Sequence, residues 1–357
     1  MSQNVFAREE TSQLYAIRDD IKNNKSLCEL LKKCETLNLK NDFAYLYTGI
    51  MLASYGRTKD SLILYNSVKF SGGLAHELFR YIKQNGSIQH KITVFKTTDA
   101  YDAWVKTNLY KIELEGTLKA IEKFIKTSAH AKEVNIMDIG PGNGKMTTQI
   151  INHILAFSNI KKINLVLLDK FSAMLDMASK TCITDIKANL EISRVYGEAQ
   201  HLTKIDVEKL KSSAPFWLTI CSRSIHHMPW EQKQDLLKLL RSLTQNLFIV
   251  EMEANHDIPE KDSPEIVYSV NKRYSFIFDD INSSSISEKE KKSAIDEFML
   301  IEAIMMLIKE RSERIDYHTT AKEWEKLSTQ AGFKVLNSEI LAREHDNIVH
   351  YFAMTIK

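Results

Sequence analysis

Asp138-Ile139-Gly140-Pro141-Gly142-Asn143-Gly144 is the first stretch of the chain whose residue types and spacing could do chemistry. The three glycines of this D-x-G-x-G-x-G run permit a tight turn with backbone angles that a Cβ forbids, and they let a ligand approach the main chain closely. Asp169 follows Gly144 by 25 positions. A carboxylate there can accept both hydroxyls of a ribose, so the pair suits an adenosine-containing ligand. Farther on, Ser222-Arg223-Ser224-Ile225-His226-His227 brings two adjacent imidazoles, which can act as a proton acceptor and its structural partner. They lack the i,i+4 spacing of a helical metal pair, and no carboxylate–His cluster with ligand spacing is apparent, so no metal is expected. Glu251, Glu253, Asn255 and His256 form a further polar group, suited to a polar substrate head or to capping a following helix.

These residues need a framework. Val134–Ile139 and Ile163–Leu168 are short apolar runs of the kind found in buried parallel strands. Helix-like Lys145–Phe157 and Ser172–Thr181 follow them, and Leu190–Tyr196, Phe216–Cys221 and Leu247–Glu251 continue the strands. This alternation predicts an α/β fold, a Rossmann-like doubly wound and mostly parallel sheet, with right-handed crossovers placing helices on both faces. Asp138 then stands next to the end of the first strand, and Asp169 follows the second. Two β-like runs close the chain, Lys334–Leu341 and Ile348–Ile356, with a turn near Glu344–Asp346. Runs so close together form a hairpin, so at least one is antiparallel to the sheet.

Residues 1–115 read as a helical region, with apolar residues at three- and four-residue spacing in Leu27–Leu39 and Phe43–Tyr55 and turns at Gly72-Gly73 and Asn85-Gly86. Tyr101–Lys126 continues the helical texture. Residues 116–357 then form the sheet domain, interrupted at about 255–315 by a helical insertion expected to close as a lid. Within it the charged, Ser-rich run INSSSISEKEKKS separates two helical segments, the second being Ile295–Lys309. Met299, Met305 and Met306 there are core residues or an adaptable pocket wall.

Composition excludes several classes. Glycine and proline together make up sixteen of 357 residues, about 4.5% against a usual ~12%, which argues against long linkers and turn-dense all-β folds. A net charge of +2 gives no footprint for nucleic acid or an acidic membrane. The four cysteines contain no CxxC pair and read as reduced thiols in a cytoplasmic protein. No apolar run approaches the ~20 residues that span a bilayer, and the first ten residues have no apolar signal core.

The glycine run resembles the first motif of class I S-adenosylmethionine-dependent methyltransferases; dinucleotide sites usually show G-x-G-x-x-G instead. The resemblance implies S-adenosyl-L-methionine as donor and S-adenosyl-L-homocysteine as product. It assigns Asp138, Gly140, Pro141, Gly142 and Gly144 to the methionine portion, Asp169 and Lys170 to the ribose, Glu198 and Ala199 to the adenine, and Ser222 to the floor of the site. His226, His227 and Glu253 are the candidate bases.

The back half resembles the GRAS domain. The carriers are Leu247–His256 (LFIVEMEANH), Tyr268–Ile281, the run Glu310-Arg311-Ser312-Glu313-Arg314-Ile315-Asp316-Tyr317-His318, Trp324 and Ala331-Gly332-Phe333, over about residues 100–357. Asn108–Ala120, with Tyr110, fits the family's preceding helix. Many plant members have lost the donor loop, whereas this chain keeps it.

Candidate substrate residues are Tyr110, Asn255, His256, Arg311, Arg314, Tyr317 and His318. The two arginines can clamp a carboxylate or pair with neighbouring acids, and Trp324 is core or substrate platform. The implied activity is methyl transfer to an O or N nucleophile of a small molecule, with dimerisation through the N-terminal helices expected from the resemblance. The alternative is a GRAS-like ligand-binding or protein-interaction module without methyl transfer.

Overall fold

The computed structural model describes residues 6–37, 39, 42–68, 70, 72–88, 99–128, 131–343 and 349–357. The chain divides into two compact units, Met1–Tyr110 with Ile258–Ile315, and Lys111–Asp257 with Asp316–Lys357.

The first unit is helical. Arg8–Lys22, Leu27–Thr36, Phe43–Ser54, Thr58–Val68, Gly73–Asn85 and Asp99–Trp104 come from the N-terminal stretch, and Pro264–Ser283, Glu288–Ala294 and Leu300–Ile308 from the insertion. Pro264 opens its helix, where a missing N–H costs nothing, and the Ser263 hydroxyl accepts from the Ile266 amide at 3.2 Å. The insertion packs with the N-terminal helices in one unit: the Ser275 hydroxyl accepts from the Leu74 amide at 2.9 Å, and Asp279 from the Gly73 amide at 3.1 Å.

Two expectations change here. The charged run read as a break is itself helical from Glu288, because Ser287 and Glu290 form a reciprocal capping box that holds its first turn. One π turn, Ile295–Met299, then joins it to Leu300–Ile308. The Tyr101–Lys126 region is two helices, Asp99–Trp104 and Asn108–Thr127.

The second unit holds a seven-stranded sheet: β1 (Glu133–Ile139), β2 (Lys162–Asp169), β3 (Asn189–Tyr196), β4 (Leu218–Ser222), β5 (Leu247–Met252), β6 (Val335–Arg343) and β7 (Val349–Ile356). The strand order is β3-β2-β1-β4-β5-β7-β6. β1 to β5 pair in parallel, whereas β7 runs antiparallel to both β5 and β6. This is the Rossmann-like sheet that the alternation predicts, and β7 is its reversed strand. The turn near Glu344–Asp346 lies outside the described residues. Strand four starts two residues later than read, and Phe216 makes only an isolated bridge to Thr244.

Every residue of β5 is buried, as expected for a strand covered on both faces. Met137, Val166, Cys221 and Ile249 share a core with Leu236 and Leu240 of helix Trp230–Leu243 and with Trp324 and Leu327 of helix Ala321–Gln330. Trp324 is thus core, at 1% exposure. Among the described residues no helix is long and apolar enough to cross a membrane.

Candidate active site

The glycine loop joins β1 to helix Lys145–Ala156. Gly140 and Gly144 both take positive φ, +69° and +80°. A Cβ on Gly144 would stand 2.7 Å from the Ala178 Cα, so that glycine also lets two helices close on each other. The Gly140 amide donates to the Leu168 carbonyl of β2 at 2.8 Å, and the Gly144 amide to the Pro141 carbonyl at 2.9 Å. Asp138, 2% exposed, precedes the loop. Its Oδ2 accepts from the Thr147 hydroxyl at 2.5 Å, while its Oδ1 is buried without a hydrogen-bond partner. Burial first, and the nearby Asp169 charge second, push its carboxyl up to about 7 against the pull of Thr147.

Asp169 closes β2, and its Oδ1 accepts from the Phe171 amide at 2.9 Å. Burial raises its pKa, while Phe171, Lys170 and His227 act the other way. Two exposed aromatic residues flank that carboxylate, Phe171 in sequence and Tyr196 across the β2–β3 register. Lys170 pairs with Glu198 at 3.3 Å, and Glu198 also holds His201 at 2.9 Å, at the start of the turn Ala199–His201. The His201 contact, above all, holds the Glu198 carboxyl below its usual range.

β4 ends at Ser222, and Arg223 reverses the chain with φ +50°. Its guanidinium Nε lies 3.1 Å from the fully buried Glu113. Burial raises the Glu113 carboxyl to about 7, despite Arg223 and with help from the Glu251 charge. The short helix Ile225–His227 then presents both histidines. His226 Nδ1 is 2.8 Å from Glu251 Oε2, and its Nε2 is 3.6 Å from Asp316 Oδ1. His227 Nδ1 is 2.8 Å from the same Asp316 oxygen. Burial opposes ionisation of Asp316, but the His227 hydrogen bond and the His226 and His256 charges outweigh it and hold its carboxyl below the usual range. The His226 and His318 rings lie 4.3 Å apart, and the His256 ring meets His318 edge-on at 5.2 Å.

Backbone bonds stitch the three segments together. The Tyr317 amide donates to the His226 carbonyl at 2.7 Å, and the His256 amide to the His318 carbonyl at 2.9 Å. Beneath them the fully buried Lys233 donates to Thr319 at 2.6 Å, to Asp257 at 3.3 Å and to the Tyr317 carbonyl. Burial lowers its pKa, with Asp257 opposing.

The second unit thus gathers His226, His227, His256, Tyr317 and His318 around Glu251 and Asp316. The Glu253 carboxylate instead accepts from the Ala321 amide at 2.7 Å, at the start of helix Ala321–Gln330, and Asn255 is half-buried in the loop after β5. Tyr110, Arg311 and Arg314 belong to the first unit; Arg314 is buried, with Nε 3.4 Å from the Lys309 carbonyl. Sequence reasoning missed the roles of Lys233 and Glu113. Both had a signal: each occupies the apolar stripe of its helix, Lys233 with Leu236, Leu237 and Leu240, and Glu113 with Thr117, Ala120 and Phe124. The expectation of no carboxylate–His cluster also changes. His226, Glu251 and His318 can bring one ligand atom each within 4.8 Å of one another, as can His226, His227 and Asp316.

The family model for the GRAS domain matches residues 176–352. No curated protein matches. Among solved structures, SCL7 of Oryza sativa aligns with a TM-score of 0.61 at 12% identity, over 88% of this chain and 98% of its own. The trans-methyltransferase CalH, in complex with SAH, aligns at TM-score 0.47 and 15% identity, over 97% of this chain and 91% of its own. Magnesium protoporphyrin IX methyltransferase (ChlM) from Synechocystis PCC 6803, with bound SAH, gives 0.41 and 10%, over 72% and 92%. SCL7 shares the fold of this chain, and residues 176–352 match the GRAS domain family.

Proposed function

We propose that the chain is an S-adenosylmethionine-dependent methyltransferase acting on an O or N nucleophile of a small organic molecule. The observation that carries this reading is the pairing of the glycine loop with two carboxylates at the ends of adjacent strands. Asp138 Oδ1 is buried without a partner, which suits a ligand ammonium group. Asp169, at the next strand end, suits a ribose diol, and Phe171 and Tyr196 beside it offer apolar faces to a base. The residues present therefore fit such a donor.

When bound, the donor supplies a methyl group already activated for in-line displacement, so the protein's share is positioning and proton removal. His227 Nδ1 lies 2.8 Å from Asp316 Oδ1, and in the tautomer that turns an Nδ1 hydrogen to this carboxylate Nε2 is the basic nitrogen of the ring. We assign proton removal from the acceptor to His227, the half-exposed member of the pair, and an orienting role to Asp316.

Calorimetry with S-adenosylmethionine and S-adenosylhomocysteine tests the donor site. Both should bind the wild type, and Asp169→Ala should weaken both more than tenfold. No binding to the wild type would sink the reading. Binding without turnover across a panel of acids, phenols and amines would favour the ligand-binding module instead.

A further inference from the structure

The geometry points to a divalent transition-metal site, of the kind that takes Zn²⁺, built by His226, Glu251 and His318. The inference does not depend on methyl transfer: it rests on a different set of side chains from those of the glycine loop.

The donor set is chemically apt. Two imidazoles and one carboxylate are the three protein ligands of open zinc sites, with a fourth position left for water or a ligand. All three residues are buried, and their ligand atoms lie within 4.8 Å of one another. Bonds of about 2.1 Å in a tetrahedral shell need ligand atoms roughly 3.4 Å apart, so side-chain adjustments of about an ångström close the site. Glu251 supplies the second observation. It is 1% exposed, its Oε2 meets His226, and its Oε1 is buried without a hydrogen-bond partner. A cation would satisfy that oxygen. The buried Lys233 already donates to Asp257, Thr319 and Tyr317.

The surroundings hold the ligands as a metal site requires. With Nδ1 of His226 turned to the metal, its Nε2 faces Asp316, 3.6 Å away. Metal-bound imidazoles commonly direct their second nitrogen at a carboxylate in this way, which fixes the ring. The backbone bonds from Tyr317 to His226 and from His256 to His318 lock the ligand-bearing segments to one another. The second possible set, His226 with His227 and Asp316, includes the half-exposed His227 and leaves Glu251 Oε1 unsatisfied, so the buried set is preferred.

The test uses the full chain without an affinity tag and carrying Cys28→Ser, which removes the exposed thiol as an adventitious ligand. After chelation, Zn²⁺ should rebind at one equivalent and raise the melting temperature, and Co²⁺ should give the visible bands of a four-coordinate site. X-ray absorption on the Zn²⁺ form should show nitrogen and oxygen ligands without sulfur. Glu251→Gln and His318→Gln should each weaken binding by more than the roughly 10–100-fold that loss of an outer partner costs, whereas His227→Ala should leave the stoichiometry intact. Failure of the unsubstituted site to take up Zn²⁺ or Co²⁺ overturns the proposal. So does full retention in folded Glu251→Gln and His318→Gln, or loss in His227→Ala alone. If either glutamine variant does not fold, the absorption spectrum decides, and a sulfur-containing shell refutes the site.

Discussion

The side chain of Ser224 fills the space that any side chain on Gly140 would need: a Cβ built on Gly140 would stand 2.4 Å from the Ser224 Cβ. The exit of β4 is thereby packed directly onto the turn after β1, and the two chemical stretches of the sequence are brought into contact. Gly140→Ala meets both this clash and a φ of +69°. It should cost about 2–4 kcal/mol of stability, combining left-handed strain with overpacking, and should abolish donor binding. Gly140→Ala with Ser224→Gly should recover the overpacking share only. Urea denaturation of the three proteins measures this, and full recovery in the double variant would show that backbone strain contributes nothing.

Asp138 makes stability depend on pH in an unusual direction for a carboxylate. Its folded pKa is about 7 against an ordinary 3.8. The native state therefore holds a proton that the unfolded chain releases, and the stability it contributes is lost as pH rises from about 4 to about 7. Asp138→Asn keeps an acceptor for Thr147 and removes the titration. The variant should gain on the wild type over that window by on the order of a few kcal/mol, while binding the donor more weakly. Denaturation at pH 5 and pH 8 reads the slope; a wild type that gains on the variant with rising pH would refute it.

The glycine loop was legible because all its parts are contiguous and its spacing is itself the physical requirement. The strands were legible to within about two residues because burial on both faces writes apolar runs such as VNIMDI and INLVLL. The histidine cluster was not. His226, Glu251 and His318 sit on three segments brought together by the β4–β5 pairing and by backbone bonds from residues 317 and 256, neither of which leaves a local spacing. Glu253 lies two residues from Glu251 but past Met252, where β5 stops, so the alternation of the strand no longer governs it: its carboxylate meets the Ala321 amide, whereas Glu251 meets His226.

His227 and Asp316 should separate chemistry from binding. His227→Ala should lower kcat by roughly 10²–10⁴, the usual worth of a positioned base, with the donor's affinity little changed. Asp316→Asn should lower kcat less, because the imidazole remains. Steady-state kinetics with calorimetry on each variant tests this. Equal losses in kcat and in donor affinity for His227→Ala would assign that ring to ligand binding instead.

Lys233 and Asp257 form a buried pair, 0% and 1% exposed, so removing the lysine takes the cation away from a buried carboxylate. Lys233→Met matches the volume of the aliphatic stem but takes the cation from Asp257 and the lysine donor from the Thr319 hydroxyl, leaving the Tyr317 carbonyl only the Thr319 hydroxyl as a side-chain donor. It should cost about 3–5 kcal/mol. Because Lys233 ties the segment that bears Tyr317 and Thr319, its loss should also loosen the position of His318. Adding Asp257→Asn to Lys233→Met should return a large part of the stability, since a buried neutral amide costs far less than a buried lone charge. A double-mutant cycle in urea measures the coupling. Additive losses would mean that the two charges do not sense each other and that the lysine acts through its hydrogen bonds to residues 317 and 319 alone.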